Sequence, residues 1–488
     1  MWAVPIVEPN GSEPLQADRG GDARGAYAVD LQHHRLAASQ VAAGESSVIC
    51  GGYSNEVYSA YSAVGGGEGN LVAGSHAAIA GGNGNKIQVD AAHAYDAANS
   101  FIGGGLNNRI GADDGTIACV NSVICGGSAN TVLHNRAFIG GGWANQTRGF
   151  YSSICGGAGN VTDAIASIVG GGRNNTCIGV QSTIAGGYYN MIRNQEELTT
   201  FANYGFIGGG RGNRIGSDSA AVNYEYSTVG GGHGNRVEAT NGSIGGGYSN
   251  AVLANASAIA GGNTNTVEAG ANFSAVAGGQ GNTVSSSTHQ AIGGGYQNAA
   301  AGQYSTIAGG TGNATSGTAS AVPGGANNEA AGTYALASGY RAKAPLYAQH
   351  AQAAGRFAAA GDAQTSVLVA RRITTNATPV ELFLDGSAQR LTLADQDCWA
   401  FSILLVARRT DADGEGAGYR LEGVIHRNGS STALVGNVSK TVLGESSAGW
   451  DANVTADDTN ESLKITVTGE AGKTIRWAAR IELAQVNG

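Results

Sequence analysis

One short phrase recurs through most of this chain, S-x-[IV]-x-G-G-x-x-N-x-[VI], as in SSVICGGYSNEV (46–57), STIAGGYYNMI (182–192) and SAIAGGNTNTV (257–267). Taking the residue just before each Gly-Gly as its index, copies fall at 50, 65, 80, 103, 125, 140, 155, 170, 185, 208, 230, 245, 260, 277, 293, 308 and 323. A weaker eighteenth, ALASGYRAKA, has its index at Ala337. Most steps equal the first, from 50 to 65. A period this short cannot bury a core of its own, so neighbouring copies must stack. Five residues after every index up to 323 stands an asparagine: Asn55, Asn70, Asn85, Asn108, Asn130, Asn145, Asn160, Asn175, Asn190, Asn213, Asn235, Asn250, Asn265, Asn282, Asn298, Asn313 and Asn328; Ala342 breaks the series. Asn tolerates the left-handed backbone region. Stacked one per coil, its amides bond those above and below, forming a structural ladder. The Gly-Gly supplies backbone approaches that side chains forbid.

Around this punctuation apolar residues alternate with small ones, the period of strands facing a thin core. No helical period is sustained. Prolines are absent from 15 to 322, and Gly does not recur at every third position, which excludes collagen. The pattern predicts an all-β chain: a parallel β-solenoid of coils with two short strands each. The index residue alternates between Gly and Cys or Ala from 50 to 208. Either successive coils differ slightly, or one wide coil takes two repeats. Cys50, Cys125 and Cys155 share that slot and Cys177 follows Asn175, which suggests small buried residues. Cys119 lies near enough to Cys125 in sequence for a disulfide to be considered.

Four steps are longer and fall in two pairs, 80 to 103 to 125 and 185 to 208 to 230, that look like an internal duplication. Insertions that leave the surrounding pattern intact belong on loops. These loops are expected to carry outward Tyr95, Asp96, Asp113, Asp114, Glu196, Glu197, Tyr204, Tyr224 and Glu225 as candidate receptor contacts. Tyrosine offers a rigid contact face, and a flanking acid accepts sugar hydroxyls.

Residues 50–361 carry only 26 charged side chains. So thin and weakly charged a solenoid leaves apolar surface exposed, which lateral packing of three identical chains would cover. Residues 1–49, with early prolines and VDLQHH, read as an attachment segment or a cap over the first coil. His33 and His34 are an isolated pair without further ligands nearby. From 362 to 488 the charge density rises, and segments such as WAFSILLVARRT and IRWAARIELAQV read as strands of a small antiparallel β-sandwich. That module would serve trimerisation or receptor binding. Trp399, Phe401, Trp450 and Trp477 there suit a core better than a sugar platform, and Asp411, Asp413 and Glu415 suit a hairpin turn better than a calcium loop.

The stretch AAGTYALASGYRAKA (330–344) resembles the head repeat of trimeric autotransporter adhesins of the YadA type, and the upstream S-x-I-x-G-G-x-x-N copies resemble a related repeat of bacteriophage tail fibres. The likeness implies a left-handed β-roll assembled as a homotrimer. The C-terminal block likewise resembles modules of phage tail and appendage proteins. The expected function is a virion tail fibre or spike, assembled in the host cytoplasm. Its N-terminus would dock on a baseplate or adaptor protein, and the fibre would adhere to a host surface glycan or protein. A polysaccharide-degrading tailspike, a bacterial adhesin and a structural spacer are the alternatives. No nucleophile–base motif appears, so the chain is expected not to be an enzyme and to have no catalytic residues. Nor are a metal, a cofactor, a nucleic-acid partner or membrane insertion implied, given a net charge of −9 and no long apolar run. The start, MWAVPIVEPNGSEP, lacks the pattern of a secretory signal.

Overall fold

The computed structural model describes residues 15–16, 21–88, 97–112, 118–193, 202–217 and 224–488. Among them every regular element is a strand. The chain forms two compact units, Met1–Val252 and Leu253–Gly488.

In the first unit one repeat makes one coil. Val48–Ile49 pairs in parallel with Ala63–Val64, and Glu56–Val57 pairs in parallel with Leu71–Val72. A third row of parallel bridges runs through the Gly-Gly turn, Tyr53 to Glu68 to Asn83. Each strand is a dipeptide in which one side chain points inward and the other out. Ile49, Val57, Val64 and Val72 are fully buried, while Val48, Glu56, Ala63 and Leu71 face outward. At Gly52 φ is +91°, and a Cβ there would lie 2.2 Å from the Gly67 carbonyl of the next coil. That spacing excludes every side chain.

Between the two strand rows runs the asparagine ladder, all seventeen members buried. Asn70 is typical. Its backbone N–H and its Nδ2 both donate to Asn55 Oδ1 at 3.0 and 3.1 Å, and Nδ2 also donates to the carbonyls of Gly66 and Gly82. Backbone N–H to Oδ1 bonds of this kind link Asn55 to Asn250 in the first unit, and Asn265 to Asn328 in the second. A buried amide is tolerated because its donors and acceptor are met. At the first rung Gln32 replaces asparagine: Asn55 N–H donates to Gln32 Oε1 at 2.9 Å, and Val29–Asp30 pairs in parallel with Val48–Ile49. Buried Asp30 is held there by Arg24 at 3.3 Å and Arg35 at 2.9 Å.

The alternation of index residues belongs to successive coils, not to a wide one. Outward positions in one strand row read Phe101, Val123, Phe138, Ser153, Ile168, Thr183 and Phe206, large residues every second coil. Wherever the residue is large, the index two positions on is glycine; where it is small, the index is Cys or Ala. At Gly140 a Cβ would lie 2.2 Å from the Cys155 carbonyl. The index side chain therefore points out, which corrects the expectation of buried cysteines there: Cys50, Cys125 and Cys155 are exposed and free. Strand alternation is the reason, since Ile49 before Cys50 takes the inward place. Cys177 and Cys119 are buried, and no disulfide joins Cys119 to Cys125. Burial pushes the Cys177 thiol up to about 12.

The second unit, from Leu253, has coils of the same kind, and its ladder ends where Ala342 N–H donates to Asn328 Oδ1 at 2.9 Å. His350–Ala353 then pairs in parallel with Leu336–Gly339 and antiparallel with Ala363–Thr374, turning the parallel stack into an antiparallel sandwich. One sheet orders the strands Ala363–Thr374, Ile475–Asn487, Asp397–Arg409, Gly416–Asn428 and Ser439–Glu445. The other centres on Ser462–Thr468. Trp399, Phe401, Tyr419, Trp450 and Trp477 are buried between them. Trp477 Nε1 donates to Thr374 Oγ1 at 2.9 Å. Asp411 and Glu415 flank a hairpin, where both pair with Arg409.

Candidate functional site

Each coil has a second turn, opposite the Gly-Gly, whose middle residue takes a positive φ: 58° at Tyr61, 57° at Tyr204 and 56° at Tyr226. For bulky side chains this is a costly conformation. It aims the N–H back along the stack, where Tyr204 donates to Val180 O and Tyr226 to Asn203 O. The side chain is thereby thrown outward. These residues form one row along the coils, and in several neighbouring coils they are exposed rings. Tyr204 lies parallel on Tyr226 at 4.8 Å, Tyr61 stacks on His76 at 5.1 Å, and the Arg136 guanidinium lies 5.2 Å from the Tyr151 ring centre. In the second unit Phe273, His289 and Tyr304 stack at 5.1 and 5.0 Å.

The Tyr204–Tyr226 pair sits where the chain returns from two insertions. Arg193 and Ala202 flank one, and Ser217 and Tyr224 the other. The strands before them, Met191–Ile192 and Arg214–Ile215, are paired, so both insertions leave from adjacent coils. The earlier pair follows the same plan, leaving after Lys86–Ile87 and Arg109–Ile110, which also pair. Of the sequence candidates, Tyr95, Asp96, Asp113, Asp114, Glu196 and Glu197 lie outside the described residues. Tyr204 belongs to the row, and Glu225, just before Tyr226 and level with Asn203, accepts from Asn203 Nδ2 at 3.5 Å.

Tyr224 does not project outward. It is 1% exposed, in the inward slot that Ala97, Cys119 and Ala202 occupy in the other three long coils. Burial raises its phenol above the ordinary range. The residue that faces out is Tyr226, two positions on. The sequence carried its signal, since Tyr226 and Tyr204 share a place in the turn, just ahead of the inner-strand pair.

In the sandwich, burial of Trp399, Phe401, Trp450 and Trp477 leaves none of them to a sugar platform. Its outer face instead has an open cavity of about 640 Å³ lined by Arg371, Arg408, Arg476, Ile373 and Val406. Arg408 and Arg476 stand directly opposite each other on neighbouring strands.

No family model matches the chain, and no curated protein does. Among the solved structures similar to it are three phage tailspikes, each at 8% identity. The tailspike protein gp49 of Acinetobacter baumannii bacteriophage Fri1, described as a capsular polysaccharide depolymerase, aligns over 88% of this chain and 79% of its own with a TM-score of 0.24. The tailspike of Acinetobacter phage vB_ApiP_P1 aligns over 91% and 82% with a TM-score of 0.21. For the tailspike of Acinetobacter baumannii phage AM24 the figures are 91%, 78% and 0.17. The expectation that this chain is not an enzyme is withdrawn, the first of these structures being described as a capsular polysaccharide depolymerase.

Proposed function

We propose that the chain is a homotrimeric tail spike of a bacteriophage that engages a linear polysaccharide of the host surface along its coils and acts on it there. The reading rests first on the exposed Tyr204–Tyr226 pair, stacked at 4.8 Å in the coils where two insertions rejoin the stack. An exposed aromatic edge is a surface on which sugar rings pack. Trimer formation is supported by the apolar stripe of Phe101, Phe138, Ile168 and Phe206, all exposed. Its alternation of large residues with glycine makes ridges and hollows that a sister chain would fill. The repeat's resemblance to phage fibre repeats supports a place in the virion tail, assembled in the host cytoplasm, with the N-terminal segment docking on a baseplate or adaptor.

The test incubates the full-length protein with purified host-surface polysaccharide and measures retention and released reducing ends. Y204A/Y226A is expected to weaken retention about ten-fold, each ring contributing roughly 0.5–1.5 kcal/mol. Unchanged retention overturns the reading. Release of reducing ends that disappears in D113N/D114N or E196Q/E197Q assigns the cutting step, because cleavage of a glycosidic bond needs two carboxylates flanking it.

A further inference from the structure

The Gly-Gly edge of the coil carries a second row of outward residues, joined coil to coil by parallel bridges. Over five coils of the first unit it reads Arg173, Tyr188, Arg211, His233 and Tyr248. The Arg211 guanidinium lies 5.6 Å from the centre of the Tyr188 ring, Tyr189 meets Tyr188 edge-on at 4.2 Å, and His233 stacks on Tyr248 at 4.9 Å. Neither Arg173 nor Arg211 has a carboxylate partner among the described residues. The neighbouring row, Asn174, Tyr189, Gly212, Gly234 and Ser249, contains no acid. Glu238 is engaged by Arg214 and Arg236. Two exposed guanidiniums, Arg173 and Arg211, interleaved with the Tyr188 and Tyr248 rings, make this edge a surface complementary to anions.

Resting on the reading that the coils engage a glycan, we infer that this edge selects an anionic linear polysaccharide lying along the stack. Arg173 and Arg211 stand two coils apart, roughly 10 Å at the usual strand spacing. They would meet carboxylates on alternate sugars, each guanidinium taking a carboxylate through two parallel N–H···O bonds. Tyr188, between them, and Tyr248 would pack against the intervening sugar rings.

The experiment measures retention of polygalacturonate, hyaluronan and polysialate against neutral dextran by the full-length protein, at low and at high salt. At least one acidic polymer is expected to bind about ten-fold or more above dextran, and to lose that advantage at high salt. R173A/R211A should remove the advantage. R408A/R476A, which deletes the same charge from the sandwich, should leave it in place. Equal binding of dextran and all acidic polymers, or the same loss in both double variants, overturns the anionic selection while the glycan reading stands. Failure to retain these polymers or the host polysaccharide overturns both. Arg173 and Arg211 are exposed and have no ion pair among the described residues, so the folded coil does not depend on them.

Discussion

The coils of the first unit and the C-terminal sandwich solve one problem, burying a sheet face, with opposite materials. A coil hides one or two aliphatic side chains per turn and an asparagine, and repeats that solution at each level. The sandwich hides five large aromatics that occur once each, on strands of up to 13 residues. Stability in the coil is therefore local and shared with nearest neighbours. In the sandwich it is concentrated in a core that every strand uses. The contrast also explains where function collects. A coil has so little interior that its outward rows are free to vary, and rows of tyrosine, histidine and arginine build up at coil spacing without cost to the core.

Three measurements would break or sharpen this contrast. The largest effect is expected from Trp477→Ala, which empties the centre of the sandwich, loses the bond to Thr374 and separates Trp450 from Tyr419. Denaturant unfolding should show the sandwich destabilised by about 3–5 kcal/mol. Hydrogen exchange in the first-unit coils should be unchanged; exchange that rises there as well would mean the regions do not differ in kind.

Asn145→Ala comes next. It orphans the N–H of Asn160 and the carbonyl of Gly141, which Asn145 satisfies at 3.0 and 2.9 Å, and leaves the Gly157 carbonyl with the Trp143 N–H as donor. A loss of roughly 2–4 kcal/mol is expected. Amide exchange should accelerate in the coils of Asn130 and Asn160 and fade beyond them. Uniform acceleration from Asn55 to Asn250 would show the ladder to be one cooperative unit.

The smallest effect concerns pH. Backbone N–H groups of Gln389 and Ala388, then Ser387, hold the Asp385 carboxyl well below the usual carboxylate range, and the Gly429 N–H lowers Asp395. A depressed carboxylate stabilises the fold above its unfolded value, about 3.9, and loses that contribution as pH falls through the folded value. The sandwich's urea midpoint should thus decline modestly below about pH 4. Asp395 is exposed and Asp385 half-buried at the surface, so solvent screening keeps the effect small. A midpoint that rises on acidification would reverse the assigned sign.

Much of the coil was legible because its constraints recur. A left-handed turn beside Asn, a glycine approach and an inward Ile or Val reappear in repeat after repeat, so position alone identifies their roles. What position could not settle was facing. Cys50 looked like a core residue by type, but the strand places Ile49 inward and Cys50 out. Tyr224 and Tyr226 are the same residue two places apart, and only the turn decides that the first is buried and the second exposed.

Sequence alone determined that this chain winds into stacked parallel coils with an asparagine at each level and gives way to an antiparallel module, because backbone needs at turns are local and repeat with the period. Which side chains stand next to each other was decided by the tertiary structure. Between Arg173 and Arg211 the chain makes two coils and passes through one insertion, and between Tyr204 and Tyr226 it makes one coil and passes through the next. Coil stacking brings residues so distant in the chain into single rows, because the step between coils absorbs these insertions without shifting the register.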